Sequence, residues 1–343
     1  MTRDMAVSAG PLAAQETCQL SRAARLSQDP LILVDGISRA GKSLIGPLLS
    51  SFDAVEIERV EEILEYIGAL HRLGKITHDA AVAVLRMETD MHLYNSLIGR
   101  NVNIRPTDHS GVWRSPTPWK YLARIWKKEG PPVVARARSE RPLYQNMTHD
   151  QLANFPLHHD AFGERLRMVE LVRHPVDLAD SWRRRGLGTR YGEDPLIFTF
   201  CLRYAGQDLP YYAKGWEECY LASSPADRVI RMIAALWDEN QRVTATLTDV
   251  QRRAVTFVPL EAFVQRPWPY VEALSEAIGR RPTAATRRML RRQRCPKPYS
   301  LEDHWARKRV LDQQASQECR SVLERLSEEY ERLAQEMVAR YET

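Results

Sequence analysis

Leu31-Ile32-Leu33-Val34-Asp35 is a short apolar run that passes directly into Gly36-Ile37-Ser38-Arg39-Ala40-Gly41-Lys42-Ser43. No other segment constrains the fold as strongly. A strand that is apolar on both faces must be covered on both faces, so the run predicts a buried parallel strand. The next eight residues fit G-x-x-x-x-G-K-[ST], placed as that pattern requires, after a strand and at the start of a helix. Glycines let the chain curl so that successive backbone N–H groups point inward. The helix N-terminus adds partial positive charge, and Arg39 and Lys42 add full charges. Such a loop holds an anionic phosphate chain. An ordinary strand–turn–helix with a chance match is the alternative.

The rest of the chain alternates strand and helix signals. Ser43 to Phe52 reads as a helix and Ala54 to Ile57 as a second short strand. Val60, Ile63, Leu64, Ile67 and Leu70 keep a 3.6-residue period. A Gly74-Lys75 break and a Thr77 cap then open the next helix. Thr117-Pro118 predicts a helix that ends at Gly130 before Pro131-Pro132. Leu143 to Met147, Met168 to Val172 and Ala254 to Val258 are further strand candidates, with a helix over Asp227 to Thr246. The expected architecture is a three-layer α/β P-loop fold, a central parallel sheet flanked by helices. Residues 1–29 are expected to be a mobile tail, with a short helix near Gln19 to Leu26. Residues 30–300 would be the α/β domain, with a helical insertion at about 60–140. Residues 301–343 would be a C-terminal helical extension. Its stripe of Val322, Leu323, Leu326, Tyr330, Leu333, Met337 and Tyr341 is either laid on the domain or is a coiled-coil seam, which would make a homodimer.

Net charge is +5, too small to mark a nucleic-acid binder. Its distribution says more. Residues 280–309 hold eleven Lys and Arg against two acids, so the remainder of the chain is acidic. Five widely spaced cysteines with no C-x-x-C pair suit reduced thiols. No apolar run reaches the length of a membrane span, and the N-terminal stretch lacks the apolar core of a secretory signal. The expectation is a cytoplasmic protein with no membrane span and no nucleic-acid partner.

A second motif stands at Met168 to Val172, which runs into Arg173-His174-Pro175, with Asp177 and Ser181 following. A strand ending in Arg with a Ser two helical turns later suits a second, separate phosphate. The pair resembles the sulfotransferases that use 3′-phosphoadenosine 5′-phosphosulfate (PAPS). In that family a strand–loop–helix near the N-terminus binds the 5′-phosphosulfate. A strand ending in Arg-x-Pro-x-Asp, with a Ser beyond, binds the 3′-phosphate. The resemblance places the donor on Ser38, Arg39, Ala40, Gly41, Lys42, Ser43 and Leu44, and on Arg173 and Ser181. A weaker likeness lies in Val258-Pro259-Leu260-Glu261 and the residues to Pro267. A late basic loop closes over the 3′-phosphate in the family, which implies Arg294 and Lys297 here. The first loop departs from the common Lys-Ser-Gly-Thr-Thr form, so the sulfate-contacting cation is either Arg39 or Lys42.

Sulfuryl transfer to an alcohol needs a base for the acceptor proton and cations for the transferring group, and no metal. His149, after the strand at Leu143 to Met147, is the candidate base, with Arg39 and Lys42 as the stabilising cations. A His at a helix start making a local hydrogen bond is the bland alternative. His109, Glu61 and Glu62 are rivals. His158-His159-Asp160 reads as a surface turn rather than a metal site. Aromatics at Trp113, Trp119, Tyr121 and Trp126, and from Phe198 to Trp216, either line an acceptor pocket or belong to the core. The implied activity is in-line sulfuryl transfer from PAPS to the hydroxyl of a sugar, lipid or other small-molecule or glycan alcohol. A P-loop kinase using ATP and Mg²⁺ is the alternative, and a non-catalytic nucleotide-binding protein is a third.

Overall fold

The computed structural model describes residues 18–108 and 110–341. In chain order, β1 (Leu31–Asp35) leads into α1 (Lys42–Leu49). Next come α2 (Ile63–Arg72), α3 (His78–Leu97), α4 (Pro118–Ala123) and α5 (Pro131–Glu140). Then β2 (Tyr144–Met147) is followed by α6 (Phe155–Phe162), β3 (Leu166–Val172) and α7 (Pro175–Arg184). A hairpin of β4 (Cys201–Tyr204) and β5 (Gln207–Pro210) precedes α8 (Glu217–Ala222), α9 (Pro225–Thr246) and α10 (Asp249–Arg253). After β6 (Val255–Pro259), the chain is helical: α11 (Leu260–Gln265), α12 (Pro267–Ile278), α13 (Ala284–Arg292), α14 (Leu301–Gln314) and α15 (Gln317–Tyr341).

The main sheet has the strand order β2-β1-β3-β6, and every pairing is parallel. Alternation along β1 sorts its side chains to two faces. Leu31 and Leu33 join a core with Leu64, Leu85, Phe155 and Met168 from α2, α3, α6 and β3. Ile32 and Val34 join a core on the other face with Ile45, Leu48, Phe263 and Tyr270. The result is the three-layer α/β arrangement, with β1 at the centre and helices on both sides. A third core packs α7, α9 and α15 together through Trp182, Ile233, Trp237, Leu326 and Tyr330.

Several local expectations need correction. No helix forms at Gln19 to Leu26; this stretch is extended and strapped to the helices beneath it. The Leu20 N–H donates to Asp79 Oδ2 at 2.7 Å, and Arg25 donates to the Ala161 carbonyl at 3.1 Å. The part of the tail at residues 1–17 lies outside the described residues. Ala54 to Ile57 makes only an isolated parallel bridge, Val55 to Leu143, rather than a strand; the next bridge, Arg59 to Asn146, spans four residues on one side against three on the other, so no continuous ladder forms. Pro131 and Pro132 begin α5 instead of ending the helix before it, as Pro at the first helical positions commonly does. His158 is no surface residue: it is fully buried in α6 with its Nε2 on Gln151 Oε1 at 3.0 Å, and burial pushes its pKa down to about 4. The C-terminal extension is two helices with a break at Ala315-Ser316. Its stripe is covered by α9 and α7 of the same chain, so that face is not free for a coiled coil. Among the described residues no helix is long and apolar enough to cross a membrane.

Candidate functional site

Everything at the site hangs from the C-terminal ends of β2, β1 and β3. The loop after β1 makes its curl with Gly36 at φ 139°, Arg39 at φ 76° and Gly41 at φ 105°. Gly36 lies against β3 so closely that a Cβ would stand 2.3 Å from the Leu171 carbonyl oxygen. Only glycine fits there. Gly41 then takes the N-cap of α1, with no side chain satisfying the first N–H groups and no acid in the first turn. Those donors are left for an anion.

The two cations of the loop diverge. Arg39 is exposed, whereas the Lys42 side chain is buried and turned under the loop, donating to the carbonyls of Gly36 and Ile37. Lys42 stiffens the curl from below. Burial pulls its ammonium pKa down, and the carboxylates of Asp35, Asp150, Glu65 and Glu170 oppose that pull. Asp35 is fully engaged: it accepts from Thr148 Oγ1 at 2.9 Å and from the N–H groups of Gln151 and Leu152 at 2.7 Å each. Glu170, its neighbour across the sheet, is buried, and desolvation raises its pKa well above the usual carboxylate range. These carboxylates serve the fold under the loop and are poorly disposed as ligands for a divalent ion.

On the β3 side, the second motif closes on the first. Arg173 Nη1 donates to the Arg39 carbonyl at 3.0 Å, and Arg39 Nε donates to Ser181 Oγ at 3.4 Å. Trp182 Nε1, at the heart of the third core, donates to the Ser38 carbonyl at 2.8 Å. Three bonds therefore pin α7 to the loop across about 140 residues of sequence. The Arg39 guanidinium is held below its ordinary pKa, first by desolvation and then by Arg185, Arg173 and Arg184. Asp180 answers only part of this charge, holding Arg183 at 2.8 Å and Arg184 at 2.9 Å. A pocket of like charges at a loop of free N–H groups is arranged for a multivalent anion.

The base of α7 is fixed from behind. The His174 N–H donates to Glu261 Oε1 at 3.2 Å, and Tyr330 of α15 donates to the other Glu261 oxygen. Asp177 accepts from Tyr299 and from Arg307 at 2.7 Å, with His304 Nδ1 at 3.5 Å; His304 first, then Tyr299 and Arg307, hold its carboxyl well below the usual range despite burial. The Lys297 N–H donates to the Val264 carbonyl at 2.8 Å, which brings the late basic loop along α11. Arg294 and Lys297 are both exposed, and among the described residues neither side chain pairs with a carboxylate.

On the β2 side, His149 follows Thr148 with its side chain one-third exposed. Its Nδ1 lies 2.8 Å from Glu65 Oε1 on α2. Asp150, at φ 59°, is buried beside it; desolvation raises its pKa to about 6, and Tyr212 donates to its Oδ2 at 3.3 Å. Of the rival bases, Glu61 sits 3.4 Å from His92 Nδ1, Glu62 is exposed, and His109 lies outside the described residues. The carboxylate that meets His149 is Glu65, in the first turn of α2, whereas Glu61 and Glu62 precede that helix. Nothing in the local sequence announces Glu65 or Asp150, because their partners come from distant elements: α2 packs on α3 and on the turn at Leu152–Asn154, and Tyr212 follows β5. Among the described residues no group of three His, Cys, Asp or Glu is placed to hold a metal ion.

The aromatic clusters separate. Tyr121 and Tyr211 are buried, and the Tyr211 and Tyr212 rings lie 4.3 Å apart beside Asp150. Trp113, Trp119 and Trp126 are instead on the surface and outside the core.

No model of a known protein family matches the chain, and no curated protein sequence matches it. Among solved structures, a sulfotransferase domain from the curacin biosynthetic pathway superposes with a TM-score of 0.42 and 10% identity, over 77% of each chain. The sulfotransferase domain of the Synechococcus PCC 7002 olefin synthase gives 0.41 and 13%, over 78% of this chain and 79% of that one. A sulfotransferase from Mycobacterium avium gives 0.38 and 13%, over 85% and 79%. Those proteins are of the kind that the two motifs resemble.

Proposed function

We propose that this protein transfers a sulfuryl group from PAPS to an acceptor hydroxyl. One observation carries the reading: across β2, β1 and β3 stand, in order, a His–carboxylate pair, a curl of free N–H groups, and a cluster of arginines joined to Ser181. A donor with a 5′-phosphosulfate and a separate 3′-phosphate needs the last two, and transfer needs the first. Arg39 and the α1 N-terminus would take the phosphosulfate, and Arg173 and Ser181 the 3′-phosphate. Arg294 and Lys297 would close over the latter from the late loop.

With its Nδ1–H donating to Glu65, His149 presents the lone pair of Nε2. It accepts the acceptor's hydroxyl proton as the new O–S bond forms. The bond between sulfur and the bridging oxygen breaks, and 3′-phosphoadenosine 5′-phosphate leaves with the negative charge, stabilised by Arg39 and the loop N–H groups. Lys42 supports the loop and is the second candidate for that stabilising role. Sugars, lipids and other alcohols are the acceptor classes that this chemistry serves, and a soluble cytoplasmic setting suits the free thiols.

The test is incubation with sulfur-labelled PAPS and a panel of alcohols, phenols, sugars and amines, read by mass. Label transfer that persists in EDTA and is lost in His149→Ala supports the reading. ATP turnover abolished by EDTA would replace it with the kinase. Tight nucleotide binding without transfer to any acceptor would replace it with a binding protein.

A further inference from the structure

Five of the eight tryptophans lie at the surface, and two are extreme: Trp119 is 71% and Trp126 is 81% exposed. The segment that carries them is anchored from inside. Tyr121 is buried and its hydroxyl accepts the Ile57 N–H at 2.7 Å, while Arg124 donates to Glu56 Oε1 at 3.0 Å. Trp119 and Ala123 then share the outward face of α4, and the short 3-10 turn Arg124–Trp126 that follows leaves Trp126 exposed as well. A helix apolar on both faces is ordinarily buried on both. Here the outer face is bare and rigidly held.

The ridge continues beyond α4. The Trp113 ring stands edge-on to Trp119 with centroids 6.2 Å apart. Ile104 and Ile125 beside it are 61% and 51% exposed. Residues 110–128 contain no acid; Lys127 and Lys128 follow Trp126, while Lys120 beside Trp119 pairs with Glu56 at 3.1 Å. A second basic element joins the same surface: Arg292 of α13 donates to the Trp113 carbonyl at 3.2 Å. From α13, Arg287, Arg288, Arg291 and Arg292 all face solvent. Among the described residues none of the four pairs with a carboxylate. Arg287 also lies over the half-exposed ring of Trp268, 5.5 Å from its centroid.

Two features distinguish the partner. Tryptophan is favoured both at protein interfaces and at the headgroup layer of a bilayer, but lysine is depleted from the first and enriched at the second. The exposed charge around the ridge is predominantly basic, Glu129 being paired with Arg100 at 2.5 Å, and this complements an anionic surface. We propose that the Trp113–Trp119–Trp126 ridge, with the arginine face of α13 beside it, docks this protein on an anionic lipid bilayer. The tryptophans enter at headgroup depth, and the arginines and lysines meet the lipid charges. This inference does not depend on the transfer chemistry, since binding is measured without donor or acceptor.

The experiment is co-sedimentation of the full chain with vesicles of phosphatidylcholine alone and of phosphatidylcholine containing phosphatidylglycerol. Association with the anionic vesicles alone is expected, with a blue shift of tryptophan emission and weakening in high salt. Trp119→Ala/Trp126→Ala should lower the partition coefficient about ten-fold or more, since both rings lose their apolar burial. Arg288→Gln/Arg291→Gln should lower it about five-fold per arginine. Both sets are exposed, so unchanged far-UV circular dichroism and melting temperature are expected. No association with anionic vesicles, or undiminished association of the tryptophan variant, overturns the proposal. So does a dimer in sedimentation velocity that the tryptophan variant dissolves, or an oligonucleotide held as tightly as the vesicles.

Discussion

Arg173→Ala separates a donor site from a structural arginine, because the two roles predict opposite changes. In the free protein, Arg173 has one donor on the Arg39 carbonyl at 3.0 Å, and its Nε is buried with no partner. Its charge adds to those of Arg185 and Arg184 in holding the Arg39 guanidinium down, behind the larger effect of desolvation. Removing it loses one hydrogen bond of about 1 kcal/mol and relieves like-charge repulsion of similar size. The unliganded protein should therefore keep its stability to within about 1 kcal/mol. A bound phosphate is different, since a hydrogen bond to a charged group contributes about 1.5–3 kcal/mol. Loss of the guanidinium should weaken 3′-phosphoadenosine 5′-phosphate by about 10- to 150-fold. Binding of 5′-AMP, which lacks the 3′-phosphate, should hardly change. Titration calorimetry with both nucleotides on both proteins completes the cycle, and thermal melts report the unliganded state. Equal weakening of both nucleotides would move Arg173 away from the 3′-phosphate. Unchanged binding with a markedly lower melting temperature would make it a structural residue and refute the reasoning.

His149→Ala should lower kcat by about two to four orders of magnitude with little effect on donor affinity, and Glu65→Gln should lower it less, through loss of orientation; equal rates in all three proteins would remove the pair from the reaction. Glu58 is buried with both carboxylate oxygens unpartnered, and desolvation raises its pKa to about 8, with Lys42 opposing. Its folded-state pKa exceeds its unfolded one, so the folded chain holds the extra proton between those values, and stability falls as pH rises through the usual glutamate range to about 8. Glu58→Gln should abolish that fall and be more stable above pH 8 by a few kcal/mol, and parallel melting curves for the two proteins across the window would contradict the assignment. Gly36→Ala, whose Cβ would meet the Leu171 carbonyl oxygen at 2.3 Å, should lower the melting temperature and abolish nucleotide binding together; retention of both would mean that the loop yields without cost.

The loop after β1 and its strand were legible because their signals are local. An apolar pentapeptide, a glycine where the chain must turn sharply, and a Lys-Ser at a helix start are all read within thirteen residues. The Arg173 to Ser181 step is equally local, being two turns of one helix. The start and break of α2 and α3 at Gly74 and Thr77 also appear where the pattern puts them. The misplacements share a cause. The helix expected at Gln19 to Leu26 loses to long-range bonds with Asp79 and Ala161. His158 looks solvated in its polar tripeptide, yet α6 turns it onto Gln151 inside the core.

Composition, periodicity and the two loops were enough to indicate a layered parallel sheet and the loop–helix turn after its first strand, because strand burial and chain reversal are properties of neighbouring residues. Choosing the partner of His149 required the packing of α2 on α3 and on the turn after β2, which brings Glu65 across 84 residues. Setting Lys42 beneath the loop and Arg39 on its surface required the buried carboxylates that surround one and the arginines that surround the other. Turning Trp119 and Trp126 outward required Tyr121 and Arg124 to find Ile57 and Glu56 first. A side chain's type and spacing limit what it does, but which face of an element is buried depends on every other element competing for the same core.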